Sequence, residues 1–142
     1  MEGSTLEEAK LKLNQLDNRF DNLKKIQNVF LHCYFNSKDT DLLFNKLISN
    51  EKTDFSRYNY FYARNLDNKG QKIEARKIIK KALKKYPRNL ILNQYKVNLE
   101  LKKNFSDFNC SNKVEIVAEL LYIAANALSL IHISEPTRHE CI

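Results

Sequence analysis

The chain has 142 residues but only 2 glycines and 2 prolines. All-β domains spend many such residues on turns, so the shortage points to long helices. Gly3 and Gly70 are the only glycines, which leaves no glycine-rich loop to cradle a phosphate. No apolar run approaches the roughly 20 residues of a membrane span. The start, Met1-Glu2-Gly3-Ser4, lacks the basic flank and apolar stretch of a signal peptide. Histidine is scarce too. His32 is the only one outside the last dozen residues, and no acid or nucleophile motif near it suggests a triad. No pair of carboxylates stands out for acid–base work. The three cysteines, Cys33, Cys110 and Cys141, lie far apart. They form no metal-binding spacing and no evident disulfide framework, and Cys33, set among apolar residues, reads as a small core residue. The expectation is a non-catalytic chain with no cofactor and no metal.

What the chain does contain is charge and helical periodicity. Its formal net charge is +7, which attracts acidic partners, nucleic acid or anionic surfaces. A heavy load of Lys, Asn and Ile is also what AT-rich codons produce, so composition alone does not make that charge functional. Apolar residues recur at three- and four-residue steps through seven segments. Leu6, Ala9, Leu13 and Leu16 mark a helix over about 5–17, opened by capping patterns at Ser4 and Thr5. Phe20, Leu23, Ile26, Phe30 and Cys33 mark a second over about 20–35. Leu43, Phe44, Leu47 and Ile48 mark a third over about 40–50. Asp54 can cap a fourth over about 55–68. Gly70 can take a left-handed cap between it and a fifth, about 71–85, which Pro87 ends. Asn89 can cap a sixth over about 90–103, and Asn112 with Glu115 a seventh over about 113–128. Each such helix buries one stripe, and stacking pairs in series covers what a lone pair leaves open.

The fifth helix is crowded with cations. Lys72, Arg76, Lys80, Lys84 and Arg88 recur every four residues opposite Ile78, Ala82 and Tyr86. The plainest reading is a solvated face; an acidic-peptide site and a phosphate-neutralising site for nucleic acid are the sharper ones. Phe55, Tyr58, Tyr60, Phe61 and Tyr62 could stack bases, but such a cluster more often fills gaps between helices.

Residues 55–88 resemble one tetratricopeptide repeat of about 34 residues. Ala63, Gly70, Ala75, Ala82 and Pro87 stand at that family's steps of small residues, turn glycine and terminal proline. Asn59 departs from it, standing where the family prefers Trp, and Tyr62, Leu66 and Ile79 exchange one bulky residue for another. Leu121 to Leu128 is similar to the first helix of a further repeat. Asp54–Tyr58, Pro87–Leu90 and Ala118–Tyr122 are similar to recurring segments of divergent tetratricopeptide proteins from AT-rich bacteria. The resemblance implies an all-α fold of helix-turn-helix repeats forming a short α-solenoid. It also implies a protein–protein interaction scaffold that binds a peptide or helix on its concave face, where Arg57, Asn59, Tyr60 and Arg64 are the candidate contacts. A basic nucleic-acid-binding module using residues 69–88 is the alternative. The compartment, bacterial cytoplasm or periplasm, stays open.

Leu128 to Arg138 is similar to a translated transposase adapter of the kind used in DNA sequencing. The expectation is that residues 1–127 form the helical array and residues 128–142 a non-native tail. A repeat that starts near 113 would then be cut short, and the chain would be an internal fragment. His132, His139, Glu140 and Cys141 accordingly enter no metal site.

Overall fold

A computed structural model of the chain describes residues 5–15, 18–101 and 108–133. Among them the structure is all-helical. The helices are α1 (Leu6–Asn14), α2 (Asp21–Tyr34), α3 (Thr40–Ile48), α4 (Tyr58–Asn68), α5 (Lys72–Lys85), α6 (Leu90–Leu101) and α7 (Lys113–Ile133), with a 3₁₀ turn at Asn18–Phe20. The expected ends at 16–17 and 102–103 lie outside the described residues. α7 runs to Ile133, beyond the expected stop at 128 and into the adapter-like stretch. The remainder of that stretch, from residue 134, lies outside the described residues, as do His139, Glu140 and Cys141.

Local chemistry sets the helix ends. Thr5 Oγ1 accepts from the Glu8 N–H at 3.2 Å, and Asn89 Oδ1 accepts from the Leu92 N–H at 3.2 Å, so both expected caps form. Asp54 acts one step earlier than expected. Its Oδ1 accepts from the Ser56 N–H at 2.9 Å, which shapes the turn before α4 rather than α4 itself. Hydrogen bonding to Ser56, from its side chain first and then from this N–H, holds the Asp54 carboxyl below its usual range against the opposing effect of burial. Asn112 Oδ1 accepts from Val114 N–H, while Glu115 reaches back to the Asn109 N–H instead of to Asn112. Gly70 takes φ +82°. This lets the Gln71 N–H reach Leu66 O and the Gly70 N–H reach Asp67 O, both at 2.9 Å, closing α4 in a Schellman turn. Asn36, at φ 52°, does the same after α2, with Ser37 N–H on His32 O at 2.9 Å.

Consecutive helices from α1 to α6 pack against one another, most extensively α4 with α5. Ala63 and Ala75 are fully buried and Ala82 nearly so, which is the close packing their spacing predicts. α7 departs from a linear stack, in which each element meets only its neighbours. It folds back across the chain and packs on α2.

Two features hold it there. The first is aromatic. Phe30 on α2 has no exposed surface and meets Phe44, Tyr58, Phe61 and Phe108 with ring centroids 6.5, 6.0, 5.4 and 5.6 Å away. Burying a Phe side chain contributes about 1.5–3 kcal/mol, and edge-to-face pairs add to it. The second corrects the reading of the cysteines. Cys33 is buried as expected, but it is disulfide-bonded to Cys110, with Cα atoms 5.6 Å apart. The two are 77 positions apart in sequence, and only the return of the chain towards α2 brings them together.

Closing a loop of 77 residues removes chain entropy from the unfolded state equivalent to about 4.5 kcal/mol. Urea unfolding with and without reductant should differ by roughly that amount, and Cys33→Ala/Cys110→Ala should match the reduced protein. Equal midpoints would show that the bond does not constrain the chain. His32 supplies a pH dependence. It is 5 % exposed, and its Nδ1 lies 2.9 Å from Ser37 Oγ. Burial first, then Lys10, push its pKa below 6.5, against smaller opposing effects of Asp39 and Glu7. Below pH 6.5 the unfolded chain takes up this proton before the folded chain does, so stability falls on acidification. Stability should therefore decline as the pH falls through 6.5 and below, and His32→Gln should flatten the decline. An unchanged slope in the variant would assign the effect elsewhere.

Candidate functional site

The residues proposed for partner contact all lie on or beside α4, and the structure sends them in three directions. Arg57 points to α7. Its Nε and Nη2 donate to Glu119 Oε2 and Oε1 at 3.0 and 2.9 Å. The guanidinium lies 4.4 Å from the Tyr122 ring centroid and 5.4 Å from that of Phe61. Asn59 is buried and donates to Ser56 O at 3.0 Å. Tyr60 and Arg64 come together at Tyr95 of α6. Tyr60 meets that ring edge-on at 5.4 Å, and Arg64 lies over it at 5.6 Å while donating to Asp67 at 2.7 Å. Arg57, Tyr60 and Arg64 therefore hold helices together, and Asn59 braces the turn that opens α4.

The Arg57–Glu119 pair is a fork-to-fork bond between α7 and the start of α4. The Glu119 side chain is 6 % exposed and that of Arg57 33 %. The bond to Glu119 raises the Arg57 pKa against the opposing effect of burial. Burial, and then the Glu119 charge, push the adjacent Tyr58 hydroxyl well above its ordinary range. Burial likewise pushes Tyr95 up to about 12. Both phenols are thus neutral at physiological pH, and the Arg57–Glu119 pair serves as an electrostatic clamp between α7 and the start of α4. No three His, Cys, Asp or Glu side chains among the described residues are grouped to hold a metal ion, and no described helix is long and apolar enough to cross a membrane.

An open cleft of about 530 Å³ lies between α5 and α6. Ile79, Leu83 and Leu99 supply its apolar surface; Arg76, Lys80 and Lys84 line it from α5, and Lys96 and Glu100 from α6. The basic stripe is exposed along its length, but it divides. Arg76, Lys80 and Lys84 border the cleft, whereas Lys72 opens α5 away from it and Arg88 falls in the turn beyond. None of the four cations around the cleft has a carboxylate partner within 4 Å among the described residues. Lys96 and Leu99 were not singled out from the sequence. Their three-residue step beside the buried Leu92 and Tyr95 is the only local signal, and it matters only once α6 lies against α5.

Comparison of the chain with protein-family models, with curated proteins and with solved structures returns no match.

Removing one member of a buried ion pair strands the other, at a cost of roughly 3–5 kcal/mol. Because Arg57 is one-third exposed, solvent screening places Arg57→Met near the lower end, about 3 kcal/mol. The double variant Arg57→Met/Glu119→Leu should regain most of that loss, since it leaves no orphaned charge. Additive losses in urea unfolding would mean that the clamp is not a coupled pair.

Proposed function

We propose that the chain is a non-catalytic protein-interaction scaffold of the tetratricopeptide type, which holds a peptide or helix of a partner protein. The cleft between α5 and α6 carries this reading. It combines solvent-accessible apolar side chains, Leu83 and Leu99, with cations that have no carboxylate partner among the described residues. A surface of that kind gains from excluding water and can orient what it holds. The spacing of Ala63, Gly70, Ala75, Ala82 and Pro87 supports the family assignment. The binding surface in this reading is the α5–α6 cleft, because Arg57, Asn59, Tyr60 and Arg64 are occupied within the fold.

Nucleic-acid binding through residues 69–88 is the second reading. It is favoured by the exposed row Lys72, Arg76, Lys80 and Lys84 along one helix. Phosphate contacts of that kind weaken steeply with added salt. Of the two compartments considered, the disulfide favours the periplasm, where oxidising conditions preserve such bonds.

The test compares three forms of the disulfide-intact chain in capture from a bacterial lysate. Leu83→Asp/Leu99→Asp should lose the proteins that the unsubstituted chain retains. Val114→Asp, at an exposed position of α7, should keep them, and circular dichroism should show all three folded. Identical capture by all three, or salt-sensitive retention of nucleic acid alone, would overturn the scaffold reading.

A further inference from the structure

We infer that the α5–α6 cleft takes an acidic amphipathic helix, one that places leucine-like side chains on Ile79, Leu83 and Leu99 and carboxylates beside the cations. The inference deepens the scaffold reading and rests on it.

Arg76, Lys80, Lys84 and Lys96 face the cleft, and Glu100 is its single acidic lining residue. The described chain supplies no carboxylate partner to any of the four cations. A segment with its own carboxylates would complete these pairs in a half-desolvated setting, where charge complementarity fixes register and excludes wrong partners.

The repeat then selects a helix. Arg76, Lys80 and Lys84 fall four residues apart on α5, about 6 Å apart along its axis. A second helix lying alongside carries its own side chains at the same interval. Carboxylates at its i, i+4 and i+8 positions therefore meet three cations in turn. Apolar side chains on the adjoining face, at steps of three and four residues offset from these carboxylates, reach the floor.

Shape separates this occupant from nucleic acid. The cleft has a floor as well as a rim: Ile79 is 2 % exposed, and Leu83 and Leu99 are half-buried. A duplex backbone would neutralise the cations but leave that apolar surface wet. An amphipathic helix satisfies both surfaces together.

The test uses the oxidised full chain and synthetic, fluorescently labelled peptides of about 18 residues, five helical turns. One carries Leu at i, i+3, i+4 and i+7 with Glu on the flanking positions; a second replaces every Glu by Lys; a third scrambles the first. The Glu peptide should bind saturably, with the Lys and scrambled peptides at least about tenfold weaker. Methyl resonances of Ile79, Leu83 and Leu99 should shift on binding, and those of Val114 and Val117 should not. Lys80→Gln/Lys84→Gln, which changes only exposed side chains, should weaken the Glu peptide about tenfold and reduce its salt sensitivity. Equal affinity for the Glu and Lys peptides, shifts confined to α7, or no binding at about 1 mM peptide, the weak limit of specific recognition, would each overturn the proposal. So would full displacement of the Glu peptide by a DNA duplex that leaves the methyl resonances unmoved. Failure here alongside lysate capture that depends on Leu83 and Leu99 removes the acidic-helix identity and leaves the scaffold standing. Loss of both removes the cleft as a binding site.

Discussion

Phe30 is the point on which the architecture closes. It sits in α2 without exposed surface, and rings from α3, from α4 and from the segment before α7 converge on it. Phe61 and Phe108 complete the circle, with centroids 4.7 Å apart. Because interiors are packed to crystal-like density, these rings fix the mutual angles of three helices and the return path of the chain. The disulfide at Cys33 lies one helical turn from Phe30 and ties down the same returning segment. Glu119 then meets Arg57 because α7 has already been brought to that side. The ion pair therefore depends on the aromatic cluster, and a charge pair of this kind adds orientation more than net stability.

Helix positions were legible because each helix carries its own stripe and its own stop. Gly70, Asn36, Thr5 and Asn89 act through bonds to residues within five positions, so local sequence contains the whole cause. The small residues Ala63, Ala75 and Ala82 were legible for the same reason: helix pairs joined by a short turn meet at predictable steps. What escaped reading depends on distant partners. Cys33 looks like any buried thiol until Cys110 arrives from 77 positions away. Arg57 looks like a surface cation until Glu119 reaches it across the fold. A linear stack was the natural expectation from helix pairs, and nothing local in α7 announces that it turns back to α2. The cleft was half legible. Its α5 side shows as a four-residue charge repeat, whereas its α6 side exists only through packing.

α5 shows how one helix can serve the core and the surface together. Ala75, Ile79 and Ala82 are buried, and the small side chains among them allow α4 to approach closely. That close approach leaves the adjoining edge of α5 uncovered, so Leu83 and the aliphatic stems of Lys80 and Lys84 border the cleft rather than the interior. Long lysine side chains suit such a border, since their stems lie against apolar surface while their ammonium groups stay in water. The feature that packs the helix pair tightly thus also creates the open surface beside it.

The Cys33–Cys110 bond makes a covalent ring of the chain between those residues. α3, α4, α5 and α6 lie wholly within that ring, together with the exposed link at Glu51 and Lys52. A protease that cuts one peptide bond in this link opens the ring without separating its products. The two pieces remain one molecule through sulfur and through the rings packed on Phe30. Such a nicked molecule keeps both walls of the cleft on the same piece, because α5 and α6 follow the cut together.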